Sequence, residues 1–189
     1  MRRAYCTLLC LTVLAPSLAG GEDSGVPVAL QVELLVKVAS HDSNMAKRAG
    51  DRVLAVVLSK AGNGDSSQAS SAATTALKLK STLRGLPLVV EGALFGKAAD
   101  LPALCRTKRD SIIYVTPAFT DDEVGAIGAA LDGVDVLTAS GVPRYIQKGI
   151  VLGFDMVSGR PKLVLSMGQA RRQNVAIETA VLGLMDVRP

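Results

Sequence analysis

Tryptophan is absent from this 189-residue chain, and aromatics make up only 3% of it. Base stacking, the usual means of holding single-stranded nucleic acid, therefore has few side chains to use. Only one histidine, His41, is present, so zinc and iron–sulfur chemistry lack a ligand set and no metal or other cofactor is expected. Cysteine is nearly as scarce. Of Cys6, Cys10 and Cys105, the first two lie in an N-terminal segment expected to be removed, which leaves one thiol and no intrachain disulfide. Charge is also modest. The formal net charge of +4 falls to +2 without Arg2 and Arg3, so nucleic acid is not an expected partner. Apart from the N-terminal stretch no apolar run is prominent, and none approaches the roughly 20 residues of a transmembrane helix.

The first residues, MRRAYCTLLCLTVLAPSLAGG, carry two arginines, a short apolar run and small residues at Ser17-Leu18-Ala19. That order is the pattern of a cleavable secretory signal over residues 1–19. Export to the periplasm is expected, with residues 20–27 as a flexible lead-in and residues 28–189 as a single domain. About 170 residues suffice for one full hydrophobic core.

Four short apolar runs read as strands: Arg52–Ser59, Leu86–Glu91, Ser111–Pro117 and Val134–Ala139. Between them, Ser66–Gly85 is alanine-rich and ends in basic residues and glycine, as a helix does. Lys97–Lys108 is a shorter helical candidate, with Cys105 at helical spacing from Leu101 and Leu104, the setting of a buried structural thiol. Thr120 and Glu123 stand at capping-box spacing with Asp121 and Asp122 between them, so this acidic cluster reads as a helix start rather than a metal site. Alternating strands and helices argue for a parallel sheet covered on both faces. Further on, Gly149–Met167 holds two apolar runs split by Ser158-Gly159-Arg160-Pro161, the pattern of an antiparallel hairpin at one sheet edge. Asn174 suits a left-handed helix stop, and Val175–Val187 reads as a terminal helix with Val175, Thr179, Leu182 and Val187 among its buried residues. The fold class expected is α/β: a layered α/β/α sandwich with a mostly parallel sheet and a C-terminal hairpin at one edge.

Val28–Ala39 satisfies two periods at once. Val28, Leu30, Val32, Leu34, Val36 and Val38 alternate as a strand would, which is the stronger pattern, while Val28, Val32, Leu35, Val36 and Ala39 also make a helical stripe.

No catalytic constellation emerges, and an enzyme is not expected. His41 and Asp42 lie near Lys47 and Arg48, but no serine or cysteine occupies a nucleophile elbow; the segment reads as a surface turn with Asp42 or Ser43 capping a short helix. Gly62, Asn63, Gly64, Asp65, Ser66 and Ser67 form a loop between strand and helix, where open α/β sheets bind ligands and a helix start can offer N–H and hydroxyl groups to an anion. The loop lacks the third glycine of a dinucleotide fingerprint and the Gly-Lys-Ser/Thr ending of a P-loop. Arg144, Tyr145, Arg171 and Arg172 flank the hairpin and are of the types enriched at protein-binding surfaces.

Leu137-Thr138, Gly149, the hairpin, Ala170 and Leu182 follow one another in an order that resembles the C-terminal half of the YfiR/HmsC-like family of exported bacterial proteins. Asp42, Asn44, Arg48 and Gly50 are similar to a recurring N-terminal pattern of one branch, and Ser111–Phe119 to its central strand. The resemblance implies a sandwich around a mixed sheet, with Val28–Ala39 as a helix. It also implies a periplasmic regulator that restrains a membrane signalling protein, such as a diguanylate cyclase or kinase, with a homodimer as a further form. Two departures stand out: Ser166 replaces a family asparagine, and the family's disulfides have no counterpart. The alternative function is small-solute or anion binding at the Gly62–Ser67 loop.

Overall fold

The computed structural model describes residues 25–189, so the expected signal segment lies outside the described residues. Val26 is already buried and its carbonyl accepts a hydrogen bond from Gln31 Nε2 at 2.7 Å. The packed domain therefore begins before Val28.

Helix α1 spans Val28–Ser40, so the strand reading of this segment is corrected and the helix implied by the resemblance is present. Gln31, Val32, Leu35, Val38 and Ala39 form its buried stripe, while Val28, Leu30, Leu34 and Val36 are half-buried against the same core. Cover on so much of the circumference requires apolar residues at almost every position, which explains why both periods matched. A short helix α2 (Met45–Ala49) follows and ends at Gly50, whose φ is +70°.

Strand β1 (Val53–Ser59) is buried at every position. Val53, Ala55 and Val57 face one helical layer, and Leu54, Val56 and Leu58 face the other. Such two-sided burial demands a continuous apolar run rather than an alternating one. Helix α3 (Gly64–Lys78) covers the first face through Ala69, Ala73, Ala76 and Leu77. Its helix stops seven residues short of the expected Gly85. Thr82–Leu83 forms a small strand β2, and Arg84 (φ +52°) and Gly85 (φ +80°) make a two-residue turn into β3 (Leu86–Leu94). Two successive positive φ values are the twist a tight hairpin needs.

Helix α4 (Leu101–Lys108), strand β4 (Asp110–Val115) and helix α5 (Asp121–Ala130) follow, the last with the complete Thr120/Glu123 capping box. Strand β5 is Leu137–Ser140; Val134 and Val136, expected within it, instead fill the second core ahead of it. A 3₁₀ turn (Pro143–Lys148) ends at Gly149, with φ +113°, and leads to β6 (Leu152–Val157) and β7 (Arg160–Ser166). Helix α6 (Met167–Arg172) starts at Ser166, whose hydroxyl accepts the Gln169 N–H at 3.3 Å; serine here does the capping itself.

The expected terminal helix is reduced to α7 (Thr179–Leu182), and Met185–Arg188 is a strand, β8, paired parallel to β7. Of the four residues expected to be buried, only Val175 is; Thr179 and Val187 are exposed and Leu182 half-buried. The β6–β7 hairpin exists but β8 lies outside it, because β7 still had an unpaired edge to satisfy.

All eight strands join one sheet in the order β2-β3-β1-β4-β5-β6-β7-β8, antiparallel only at β2–β3 and β6–β7. Helices cover both faces, giving the α/β/α arrangement.

The expected surface turn is present at residues 41–44, with His41 half-exposed and Ser43 exposed, but Asp42 is buried within it and neither Asp42 nor Ser43 is the N-cap of α2. Asp42 is fully buried, and its carboxylate pairs with Arg48 at 2.8 Å and accepts the N–H groups of Asn44 and Ala176. Arg48 also donates to the Asn174 carbonyl, and Asn44 to the Asn174 side chain. His41 contacts Glu178 at 3.0 Å. Asn174 takes the left-handed conformation expected of it, with φ +52°. This cluster clasps the first helices to the last segment of the chain.

Replacing Asp42 by Ala strands Arg48 in a buried site and is expected to cost about 3–5 kcal/mol in urea unfolding, with the double Asp42→Leu, Arg48→Met variant recovering a large share. At Gly128 an added Cβ would lie 2.7 Å from the Gly149 Cα. Gly128→Ala is expected to lower stability by about 1–3 kcal/mol, read in the same titration.

Candidate functional site

Parallel strands β1, β4 and β5 all end on one edge of the sheet. From β1 the chain passes to α3 on one face, and from β4 to α5 on the other. Two loops leaving neighbouring strands in opposite directions open a crevice between them, the position where such sheets bind ligands.

The first loop is Lys60–Asn63. Asn63 caps α3 by accepting the Ser66 N–H at 2.9 Å, and Gly62 takes φ +71°. Ser66 is wholly buried: its hydroxyl accepts the Lys60 N–H at 2.8 Å and lies 2.6 Å from the Thr116 hydroxyl. Thr116 in turn donates to the Leu58 carbonyl. These bonds stitch the ends of β1 and β4 together beneath the crevice.

The second loop runs through Ala118, a non-glycine residue at φ +79°. A left-handed alanine carries backbone strain of the kind that accumulates at functional sites. The turn buries Phe119 in the second core, where its ring meets Phe95 edge-on at 5.2 Å and its carbonyl accepts the Tyr145 hydroxyl at 2.7 Å. Across the crevice Lys60 Nζ pairs with Glu123 at 2.7 Å and stands 6.0 Å from the Phe119 ring centre. Hydrogen bonds from Lys60 and the Thr120 N–H hold the Glu123 carboxyl below its usual range.

Beside this bridge is a cavity of about 400 Å³, between the first loop, α3 and the end of β3. Gly62, Asn63, Gly64 and Ser67 line it with Lys60 and Leu94. Asp65 does not line it, and Ser66 cannot offer its hydroxyl to a ligand because two protein groups already occupy it. Four of the six loop residues singled out in the sequence therefore face open space.

The arginine and tyrosine candidates do not form one surface. Tyr145 is fully buried and belongs to the core, so it is not a contact residue. Arg144 lies 5.2 Å from the Tyr145 ring centre and pairs with Asp121 at the start of α5. Arg172 pairs with Asp132 just beyond the other end of α5, and exposed Arg171 is its neighbour. A helix of ten residues separates the two groups by about 15 Å.

Lys60, Thr116, Phe119 and Glu123 are the residues that sequence reading did not assign to a site. Glu123 was legible only as a capping residue, and Lys60 only as the residue after a strand. A signal did exist: a cation closing one parallel strand and an acid in the first helical turn after the next one.

At the opposite edge, Asp110 opens β4 from a buried position, 2% exposed. Burial pushes its carboxyl up to about 6, and burial together with Asp110 pushes the Cys105 thiol up to about 12. Cys105 is thus a protonated, buried thiol, in keeping with its helical spacing.

No family model matches the chain, and no curated protein matches it either. Solved structures do. A conserved domain protein from Vibrio cholerae O1 biovar eltor aligns with a TM-score of 0.55 at 15% identity, over 85% of this chain and 60% of that one. An ABC domain in complex with L-Trp from Streptococcus pneumonia gives 0.60 at 13% identity, over 85% and 60%. A substrate binding protein with adhesive properties from Clostridium difficile, in a ligand-free, open structure, gives 0.54 at 11% identity, over 86% and 60%. The likeness is one of fold, and this chain spans about 60% of the length of each.

A carboxyl raised from 3.8 to about 6 by burial costs the folded state nothing when protonated and its full penalty when ionised. Asp110→Asn is therefore expected to melt higher than the parent protein at pH 8, with the gain shrinking through pH 6 and gone near pH 4. Paired thermal melts across that range are the check.

Proposed function

We propose that this chain is an exported, non-enzymatic module that binds a small polar solute in the crevice between the β1–α3 and β4–α5 loops. The observation that carries the reading is the Lys60–Glu123 bridge, a one-third-exposed ion pair spanning two diverging loops at the carboxyl edge of a parallel sheet. A solute with an anionic and a cationic group can take Lys60 with one and Glu123 with the other, replacing the bridge without leaving either charge unpaired. Leu94 supplies an apolar wall to the neighbouring cavity, which has room for a side chain. The substrate class is thus a small zwitterion of the amino-acid type. Two of the structural relatives support the reading, one being named a substrate binding protein and the other holding L-Trp.

Restraint of a membrane signalling protein, the function implied by the YfiR-like resemblance, is the weaker reading. It loses Tyr145 to the core and finds its arginines in two separate places.

The experiment is a thermal-shift screen of free amino acids against matched monoanions such as acetate. A ligand at about a hundred times its dissociation constant adds about 2.7 kcal/mol, or a shift of roughly 5–10 °C for a domain this size. A zwitterion is expected to produce that shift, and Lys60→Met and Glu123→Gln each to abolish most of it. If no amino acid shifts the melt, or if both variants respond as the parent does, the assignment of this crevice fails.

A further inference from the structure

The amino edge of the sheet carries a second cavity, of about 330 Å³, between α2, the end of α4 and the turn before β5. Its walls include Lys47, Arg106 and Arg109, and none of the three has a carboxylate within 4 Å among the described residues. Arg109 is held across Gly50, where an added Cβ would meet its guanidinium at 3.0 Å. Arg48 and Asp110 form the buried part of the lining. The Arg48 Nη groups are engaged by Asp42 and Asn174, but its Nε has no partner. Neither carboxylate oxygen of Asp110 accepts from an N–H or O–H group, although the residue is 2% exposed; the Cys105 thiol is the weak donor beside it.

These features set two requirements that one ligand must meet together. The cations call for negative oxygens, and the buried carboxylate calls for a hydrogen-bond donor. A simple anion satisfies the first and sets a lone pair against Asp110. An organic cation satisfies the second and is repelled by the cations around it.

We infer that this cavity binds a small oxyanion that carries its own proton, with inorganic phosphate as the probe. The phosphate P–OH donates to Asp110 while its remaining oxygens accept from Arg106, Arg109 and Lys47. Sulfate has the same shape and no proton at neutral pH, so it fills the cavity with one repulsive contact. Asp135, exposed at the rim with one oxygen accepting from Asn174, adds a second negative charge that favours a proton-bearing ligand. The Cys105 thiol stays protonated, adds no charge and offers Asp110 only a weak S–H bond, while Lys108 lowers and Glu91 raises the same carboxyl without lining the cavity. Protonation of Asp110 below about pH 6 turns it into a donor and removes the bias against sulfate.

Isothermal titration of the full chain with inorganic phosphate and with sulfate tests this directly. At pH 7.5 phosphate is expected to bind at least about tenfold more tightly than sulfate, and the gap to close at pH 5. Asp110→Asn, whose amide can donate, is expected to bind the two within about threefold, and Arg106→Gln to weaken phosphate about fivefold or more. Lys60→Met is expected to leave the preference for phosphate over sulfate unchanged, which separates this site from the crevice at the other edge. Equal binding of the two anions at pH 7.5, no binding of either, or a full phosphate preference in Asp110→Asn would overturn the inference.

Discussion

Burial of β1 and β4 on both faces is the constraint from which the architecture follows. Neither strand has a polar face to turn toward water, so helices must lie above and below the sheet. A chain that leaves β1 for one layer and β4 for the other has to part at the carboxyl edge, and the parting makes the crevice. Ser66 and Thr116 close its base with hydroxyls 2.6 Å apart, while the Lys60–Glu123 pair bridges its mouth. The candidate site is thus a consequence of how the sheet is covered, and the loop residues refine a place the topology already created.

The same sheet also needs its ends tied. Asp42 and Arg48 sit near the start of the domain and Asn174 near its end, joined through bonds that leave almost no solvent contact to the ion pair. A buried pair of this kind adds little beyond what an apolar replacement could, but it penalises any arrangement in which only one partner is present. It therefore fixes which segments meet. Of the residues that resembled a family signature, Asp42, Asn44 and Arg48 build this clasp and Gly50 ends α2, so the resemblance lies in residues that hold the fold.

Charge is used differently at the two edges. At the carboxyl edge Lys60 and Glu123 are paired and about one-third exposed, a state that a ligand of matching charges can exchange. At the amino edge a carboxylate is buried without an N–H or O–H donor beside cations that lack carboxylates of their own. Attraction from Lys108 and a weak bond from the Cys105 thiol ease that imbalance without removing it, and it is the feature on which the selectivity of the second cavity rests.

Much of the fold was legible in the sequence because local chemistry decided it. The continuous apolar runs marked β1, β3 and β4; Thr120 and Glu123 marked the start of α5; Ser158 and Gly159 marked the hairpin turn. What local chemistry left open was decided by neighbours. Val28–Ser40 is helical because both the sheet and α3 cover it, and Met185–Arg188 is a strand because β7 had an edge to fill. The site divides in the same way. Gly62, Asn63, Gly64 and Ser67 were visible as a loop between strand and helix, since turn chemistry is written in adjacent residues. Lys60 and Glu123 are 63 positions apart and Asp42 and Ala176 are 134 apart, and no period or spacing relates such pairs. The sequence by itself determined the elements and the loop; only the tertiary structure decided which charges meet, because long-range pairing depends on how the layers close.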